Sequence, residues 1–200
     1  MFKRLFATVL LSLAAVTAVA GPYQTLPTAG RVDKPGLIEV REFFWYGCPH
    51  CYTLEPHLAN WLKSKPADVN FVRTPAALNP VWEASARGYY TAEIMGIVEK
   101  AHGPLFHAIH RGGQRPYDQG SLTRFYSGFG VNPATFASTY NSFAVSGKVA
   151  QSRSLAQFYG LEGVPAVIVN GKYLVKGEGP EVVATINELI AKERAAKRAK

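Results

Sequence analysis

A largely apolar run from Leu37 to Trp45, rich in β-branched and aromatic residues, leads straight into Cys48-Pro49-His50-Cys51. Cys51, Leu54, Leu58, Trp61 and Leu62 then follow at helical spacing. The motif therefore sits where a buried strand becomes a helix, which commits the chain to a layered α/β core. Pro56 falls inside that helix and predicts a kink, because proline withdraws one backbone hydrogen bond from the preceding turn.

A second short strand is expected at Val69–Arg73. In the long section after it, apolar residues such as Trp82, Tyr89, Ile94, Val98, Leu105, Phe106 and Ile109 recur with helical period. Ser121 reads as an N-cap, and Asn132 before Pro133 as another helix start. A helix from about Ser146 to Tyr159 stops at Gly160. Val164–Val169 then reads as a strand, with Asn170-Gly171 a tight turn into Tyr173–Val175. The last helix starts near Pro180 and buries Val182, Val183, Ile186, Leu189 and Ile190. This order describes an α/β core carrying a helical insertion, without internal repeats.

Residues 1–20 read as a secretory signal peptide: Lys3 and Arg4 precede an apolar stretch to Val19, and Ala18-x-Ala20 forms the cleavage pattern. Thr8, Ser12 and Thr17 dilute the stretch and weigh against a membrane span. The mature chain is expected from near Gly21. Its roughly 180 residues suffice for one substantial core, and 48% hydrophobic with 18% charged residues is a globular composition. The formal charge is +8. Removing Lys3 and Arg4 leaves about +6, much of it in Lys192, Arg194, Lys197, Arg198 and Lys200. That run is read as a solvated final helical turn favoured by the helix dipole, with no nucleic-acid partner implied.

Both cysteines of the chain lie in one four-residue window. A bridge closing so short a loop restricts the unfolded chain little, so the pair is read as chemical rather than structural. At a helix start, unpaired N–H groups and the dipole favour the thiolate of Cys48, and His50 adds to this when protonated. Cys48 is the expected nucleophile and Cys51 the resolving thiol. Stabilising the thiolate stabilises the reduced form and makes the disulfide a donor. A metal half-site would need further ligands, but there is no second cysteine pair. His102, His107 and His110 are read as surface or packing residues. No metal or other cofactor is expected.

Three blocks resemble the DsbA family of periplasmic thiol:disulfide interchange proteins. Glu42-Phe43-Phe44-x-x-x-Cys48-Pro49-His50-Cys51-Tyr52 is similar to its active-site strand and helix start. Asn141-Ser142-Phe143 with Val149-Ala150-Gln151 resembles the return from its helical insertion. Gly163-Val164-Pro165-Ala166 with Val169-Asn170-Gly171-Lys172-Tyr173 resembles its cis-proline loop and hairpin. The resemblance implies a low-pKa, strongly oxidising cysteine pair, the same direction that the helix-start position of Cys48 favours.

The resemblance implies a thioredoxin-like domain over residues 21–76 and 146–200, with an inserted helical domain over 77–145. It implies a cis Val164–Pro165 bond beside the cysteines, with Val164 pairing to an extended substrate peptide. Glu42 shares a strand face with Ile38, Val40 and Phe44, an unusual place for a carboxylate, and burial there raises its pKa. By resemblance Glu42 lies under the disulfide and moves the Cys51 proton, with Arg73 on the neighbouring strand as a basic partner. Trp45-Tyr46-Gly47 and Thr74–Trp82 depart from the best-known members, which leaves groove shape and substrate preference open.

The implied activity is a monomeric periplasmic oxidase that acts on reduced exported polypeptides and is reoxidised by a DsbB-type membrane quinone reductase. A disulfide isomerase or reductase is the second possibility. Only about a dozen residues, Gly21 to Val32, precede the first strand expected here, too few for a separate dimerisation domain. A binding or chaperone module without redox turnover is the third.

Overall fold

The computed structural model describes residues 21–199. The signal peptide expected over 1–20, and Lys200, lie outside them. In chain order the elements are β1 (Tyr23–Thr25), β2 (Ile38–Phe44), α1 (Pro49–Leu62), β3 (Val69–Pro75), α2 (Pro80–Ile94), α3 (Val98–His110), α4 (Gln119–Ser127), α5 (Pro133–Tyr140), α6 (Phe143–Phe158), β4 (Ala166–Val169), β5 (Tyr173–Lys176) and α7 (Pro180–Arg198). No helix among the described residues is long and apolar enough to cross a membrane.

The sheet runs in the order β1-β5-β4-β2-β3, with β2 parallel to β3 and the other pairs antiparallel. Every residue of β2 is buried, because helices cover both sides of the sheet. Ile38 and Val40 pack with Leu54 and Leu58 of α1 and with Ile186 and Leu189 of α7. Phe43 points the other way, into a cluster with Ala156 and Tyr159 at the end of α6. Phe44 joins the core of the helical section with Phe106, Leu122, Tyr126 and Phe136. The active-site strand thus carries side chains into three hydrophobic clusters, which makes its far end a rigid platform.

The α/β architecture with helices inserted between β3 and β4 is as expected, and the structure moves several boundaries. β1 lies inside the stretch assumed to precede the first strand, and it pairs with β5 through Gln24 opposite Leu174. At three residues it is too short for alternation to reveal it. α6 starts at Phe143, capped by the Ser142 side chain, rather than near Ser146. The strand expected from Val164 begins at Ala166. Asn132 caps α5 as expected, whereas α4 is capped by Asp118, with Ser121 the third residue of a reciprocal capping box. Asp118→Ala should therefore cost about 1 kcal/mol in chemical denaturation, and more than Ser121→Ala.

Asn170 and Gly171 form the hairpin turn with φ of 49° and 68°, the left-handed pair that matches the twist of the flanking strands. A side chain at Gly171 would also collide with the backbone of Gly30, whose N–H donates to the Gly171 carbonyl at 2.8 Å. The basic terminal run is partly engaged at the surface. Arg194 pairs with Asp68 at 2.5 Å, Lys192 lies over the rings of Tyr23 and Tyr173, and Lys197 donates to the Gly36 carbonyl at 2.8 Å.

Candidate active site

Cys48 is the N-cap of α1, and Pro49 occupies the first helical turn, where its missing N–H costs nothing. The Cys51 N–H donates to the Cys48 sulfur at 3.4 Å. Cys48 is 6% exposed and Cys51 fully buried, while Pro49 and His50 face solvent. Both cysteines are free. The Cys48 pKa is lowered to about 6, first by a hydrogen bond from the Cys51 thiol, then by the N–H groups of Cys51 and His50 and the charge on His50, against the opposing effect of burial. Burial and the hydrogen bond to Cys48 raise the Cys51 pKa. The two sulfurs are therefore driven apart in acidity, with the outer one the nucleophile.

The thiol–thiol hydrogen bond is the leading contribution, ahead of the helix terminus and His50 invoked from sequence. His50 is itself influenced from outside the motif. Its Nδ1 lies 2.5 Å from a Glu178 carboxylate oxygen just before α7, a contact that raises the His50 pKa. His50→Leu should shift the Cys48 titration upward from about 6, read by thiolate ultraviolet absorbance against pH, with Cys48 remaining the more acidic sulfur.

The Val164–Pro165 peptide is cis, and the Val164 carbonyl lies 3.3 Å from the Cys48 sulfur. That carbonyl accepts from the thiol, so it favours the protonated form and works against the donors to the sulfur. Val164 and Pro165 are partly exposed, leaving the loop open along one side.

Beneath the cysteines lies a buried polar cluster. The parallel register sets Arg73 opposite Glu42, and Arg73 Nε is 3.6 Å from the Glu42 carboxylate. Its Nη2 donates to Glu55 of α1 at 2.9 Å. Glu42 is fully buried, and neither carboxylate oxygen has a hydrogen-bond partner among the described residues. Burial, then the like charge of Glu55, raises its pKa to about 8 despite Arg73. The unusual strand position of Glu42 and its pairing with Arg73 are thus both present.

Sequence reasoning missed Glu55, His102 and Glu178. Glu55 had a signal: a carboxylate on the stripe Cys51, Leu54, Leu58 that α1 turns inward. His102 likewise falls on the buried stripe of Ala101, Leu105 and Phe106. Glu178 lies far along the chain and offered none. His102, read only as a surface or packing residue, is buried, and His110 donates to the Tyr46 carbonyl at 2.8 Å and stacks on Tyr52. Among the described residues no group of three or more His, Cys, Asp or Glu side chains is arranged to hold a metal ion.

Trp45 folds back over Gly47, whose side-chain position its ring occupies. It stacks on Trp82 at 5.0 Å between centroids and leans on Tyr117. The two segments that depart from the family pattern, Trp45–Gly47 and Thr74–Trp82, therefore meet in one aromatic shelf next to the motif.

The family model for the DSBA-like thioredoxin domain matches residues 39–190. The chain belongs to the DsbA family. It is 46% identical over 181 residues to the thiol:disulfide interchange protein DsbA of Pseudomonas syringae pv. tomato, covering 88% of this chain and 85% of that protein. Against the DsbA of Pseudomonas aeruginosa it is 38% identical over 207 residues, covering 97% and 98%. The crystal structure of Pseudomonas aeruginosa DsbA superposes with a TM-score of 0.83 at 41% identity, over 88% of this chain and 94% of that one. Oxidoreductase DsbA from Xylella fastidiosa gives 0.82 at 34% identity, over 88% and 97%. This DsbA-family chain is a thiol:disulfide oxidoreductase with a thioredoxin-like fold.

Proposed function

We propose that this DsbA-family protein is a periplasmic disulfide oxidase that donates a Cys48–Cys51 disulfide to newly exported polypeptides. The observation that carries the reading is the placement of the two sulfurs: Cys48 caps α1 and accepts from the Cys51 N–H, whereas Cys51 is fully buried, an arrangement that pulls the Cys48 pKa down to about 6 and pushes that of Cys51 up. At pH 7 a thiol with that pKa is about nine-tenths ionised, which favours the reduced pair about tenfold, or about 30 mV, over an unperturbed thiol. Thiolate stability therefore supplies the direction and only part of the driving force.

A client thiolate attacks the Cys48 sulfur, and the Cys48–Cys51 bond breaks with its electron pair going to Cys51. A second client thiolate then attacks the client sulfur of the mixed disulfide, forming the client disulfide and expelling Cys48 as thiolate. Two client thiols are oxidised for each protein disulfide reduced. Glu42, protonated at neutral pH, supplies the proton that Cys51 takes up as it leaves, and receives one when the pair is reoxidised by a DsbB-type membrane quinone reductase. His50 steadies the Cys48 thiolate, Pro49 shapes the helix start, and Val164 with Pro165 presents the client strand.

The protein works as a monomer, with residues 77–145 as the insertion in a thioredoxin-like domain of 21–76 and 146–200. Mixing the oxidised protein with a reduced client should yield net oxidation at one disulfide per protein, and only slow repair of a scrambled client. Repair of the scrambled client without net oxidation would instead identify an isomerase.

A further inference from the structure

His102 belongs to α3, in the helical section, yet it reaches the cluster beneath the cysteines. The Tyr46 hydroxyl and His102 Nδ1 are 2.7 Å apart. The Glu55 carboxylate that faces Nε2 can only accept, which calls for the ring proton on that nitrogen and leaves the Tyr46 hydroxyl, kept protonated by burial, to donate to Nδ1. Nδ1 is then the acceptor, and the proton of the neutral ring sits on Nε2. Burial lowers the His102 pKa and keeps the ring neutral. Its Nε2 and the Glu55 Oε2 are both buried, with no other polar partner among the described residues, and they face each other at 3.2 Å, close enough for the N–H to stabilise the carboxylate though not aligned as a full hydrogen bond.

One guanidinium, Arg73, thus serves two carboxylates, Glu42 and Glu55. One proton shared between the carboxylates leaves the trio neutral, and such a pair titrates as a unit. The carboxylate with more donors keeps the charge. Glu55 has Arg73 Nη2 at 2.9 Å and His102 Nε2, whereas Glu42 has only the longer Arg73 contact at 3.6 Å. We propose that His102 is the positioning residue that fixes the negative charge on Glu55 and so leaves the shared proton on Glu42, beneath Cys51. The inference deepens the relay reading of Glu42 and rests on it for its catalytic consequence only.

The groups facing His102 are Glu55 from α1, Arg73 from β3, Glu99 from its own helix and the Tyr46 hydroxyl. Those facing Glu42 are Glu55, Arg73, Cys51 and the Tyr89 hydroxyl of α2. Tyr89 also stays protonated because burial raises its pKa. Glu55, Arg73 and His102 also line a surface cleft with Lys63 and Glu99, whereas Glu42 is fully buried.

The test is the carboxyl infrared titration of Glu42 in the reduced full chain, its band identified by loss in E42Q. H102F keeps the aromatic packing against Phe44 and Phe106 but removes the donor to Glu55. The Glu42 midpoint should fall by about one pH unit or more, the effect of one hydrogen bond to a charged group. H102N, which retains a polar partner for Tyr46 but lacks the reach to Glu55, should give the same shift and decides the matter if H102F does not fold. In an E55Q background neither change should move Glu42, because His102 acts through Glu55. An unshifted midpoint in the folded variant, or an equal shift in the E55Q background, overturns the proposal. A midpoint that moves while exchange rates keep their pH profile supports the assignment of the proton and overturns the relay instead.

Discussion

Cys48→Ala is expected to abolish thiol exchange, by a factor on the order of a thousand or more, whereas Cys51→Ala should capture clients as stable mixed disulfides. The contrast follows from position. Cys48 caps α1 with its sulfur against the Val164 carbonyl, while Cys51 is sealed within the helix. The chain has no third cysteine to substitute for either. Non-reducing electrophoresis reads both variants after mixing with a client whose single cysteine is held as a mixed disulfide with glutathione, so that the attacking thiolate joins the client sulfur and glutathione leaves as the thiolate. Mixed disulfides in Cys48→Ala, formed through Cys51, would contradict the assignment of roles.

Glu42→Gln should make the protein more stable at neutral pH and slower to exchange. The Glu42 pKa is raised to about 8 in the folded chain, against about 4.3 when unfolded. Between those values the folded state holds a proton that the unfolded state has released. Stability is therefore undiminished below about pH 4 and declines as pH rises toward 8. Glutamine has no such proton. The advantage of the variant in urea denaturation should be small near pH 4 and grow to a few kcal/mol, in order of magnitude, by pH 8. The exchange rate should fall at the same time, because Cys51 loses its proton donor. An advantage independent of pH would mean that the glutamine side chain merely packs better there, and an unchanged rate profile would remove the relay.

Features with a local cause were legible in the sequence. β2, α1 and the hairpin follow from apolar runs, helical spacing and Asn170-Gly171, and Glu42 stood out because alternation placed a carboxylate among Ile38, Val40 and Phe44. Arg73 is named as its partner only through the family resemblance, and the parallel register sets it opposite Glu42. What stayed hidden depends on contacts between distant segments. Glu178 reaches His50 across 128 residues and His102 reaches Tyr46 across 56, and neither spacing has a local signature. The Asp118 cap was misplaced by three residues because Ser121 is also a capping type, and only the reciprocal bonds distinguish their positions. Trp45 and Trp82 each marked a departure from the family pattern. Only the fold brings them together.

A Cys48–Cys51 disulfide that is readily given away must have a high reduction potential, which equilibration with glutathione measures. The expected value is more positive than about −200 mV, becoming less sensitive to changes at His50 as the pH falls below the Cys48 pKa of about 6. A potential at or below about −270 mV, where reductants and stable structural bridges lie, would contradict it.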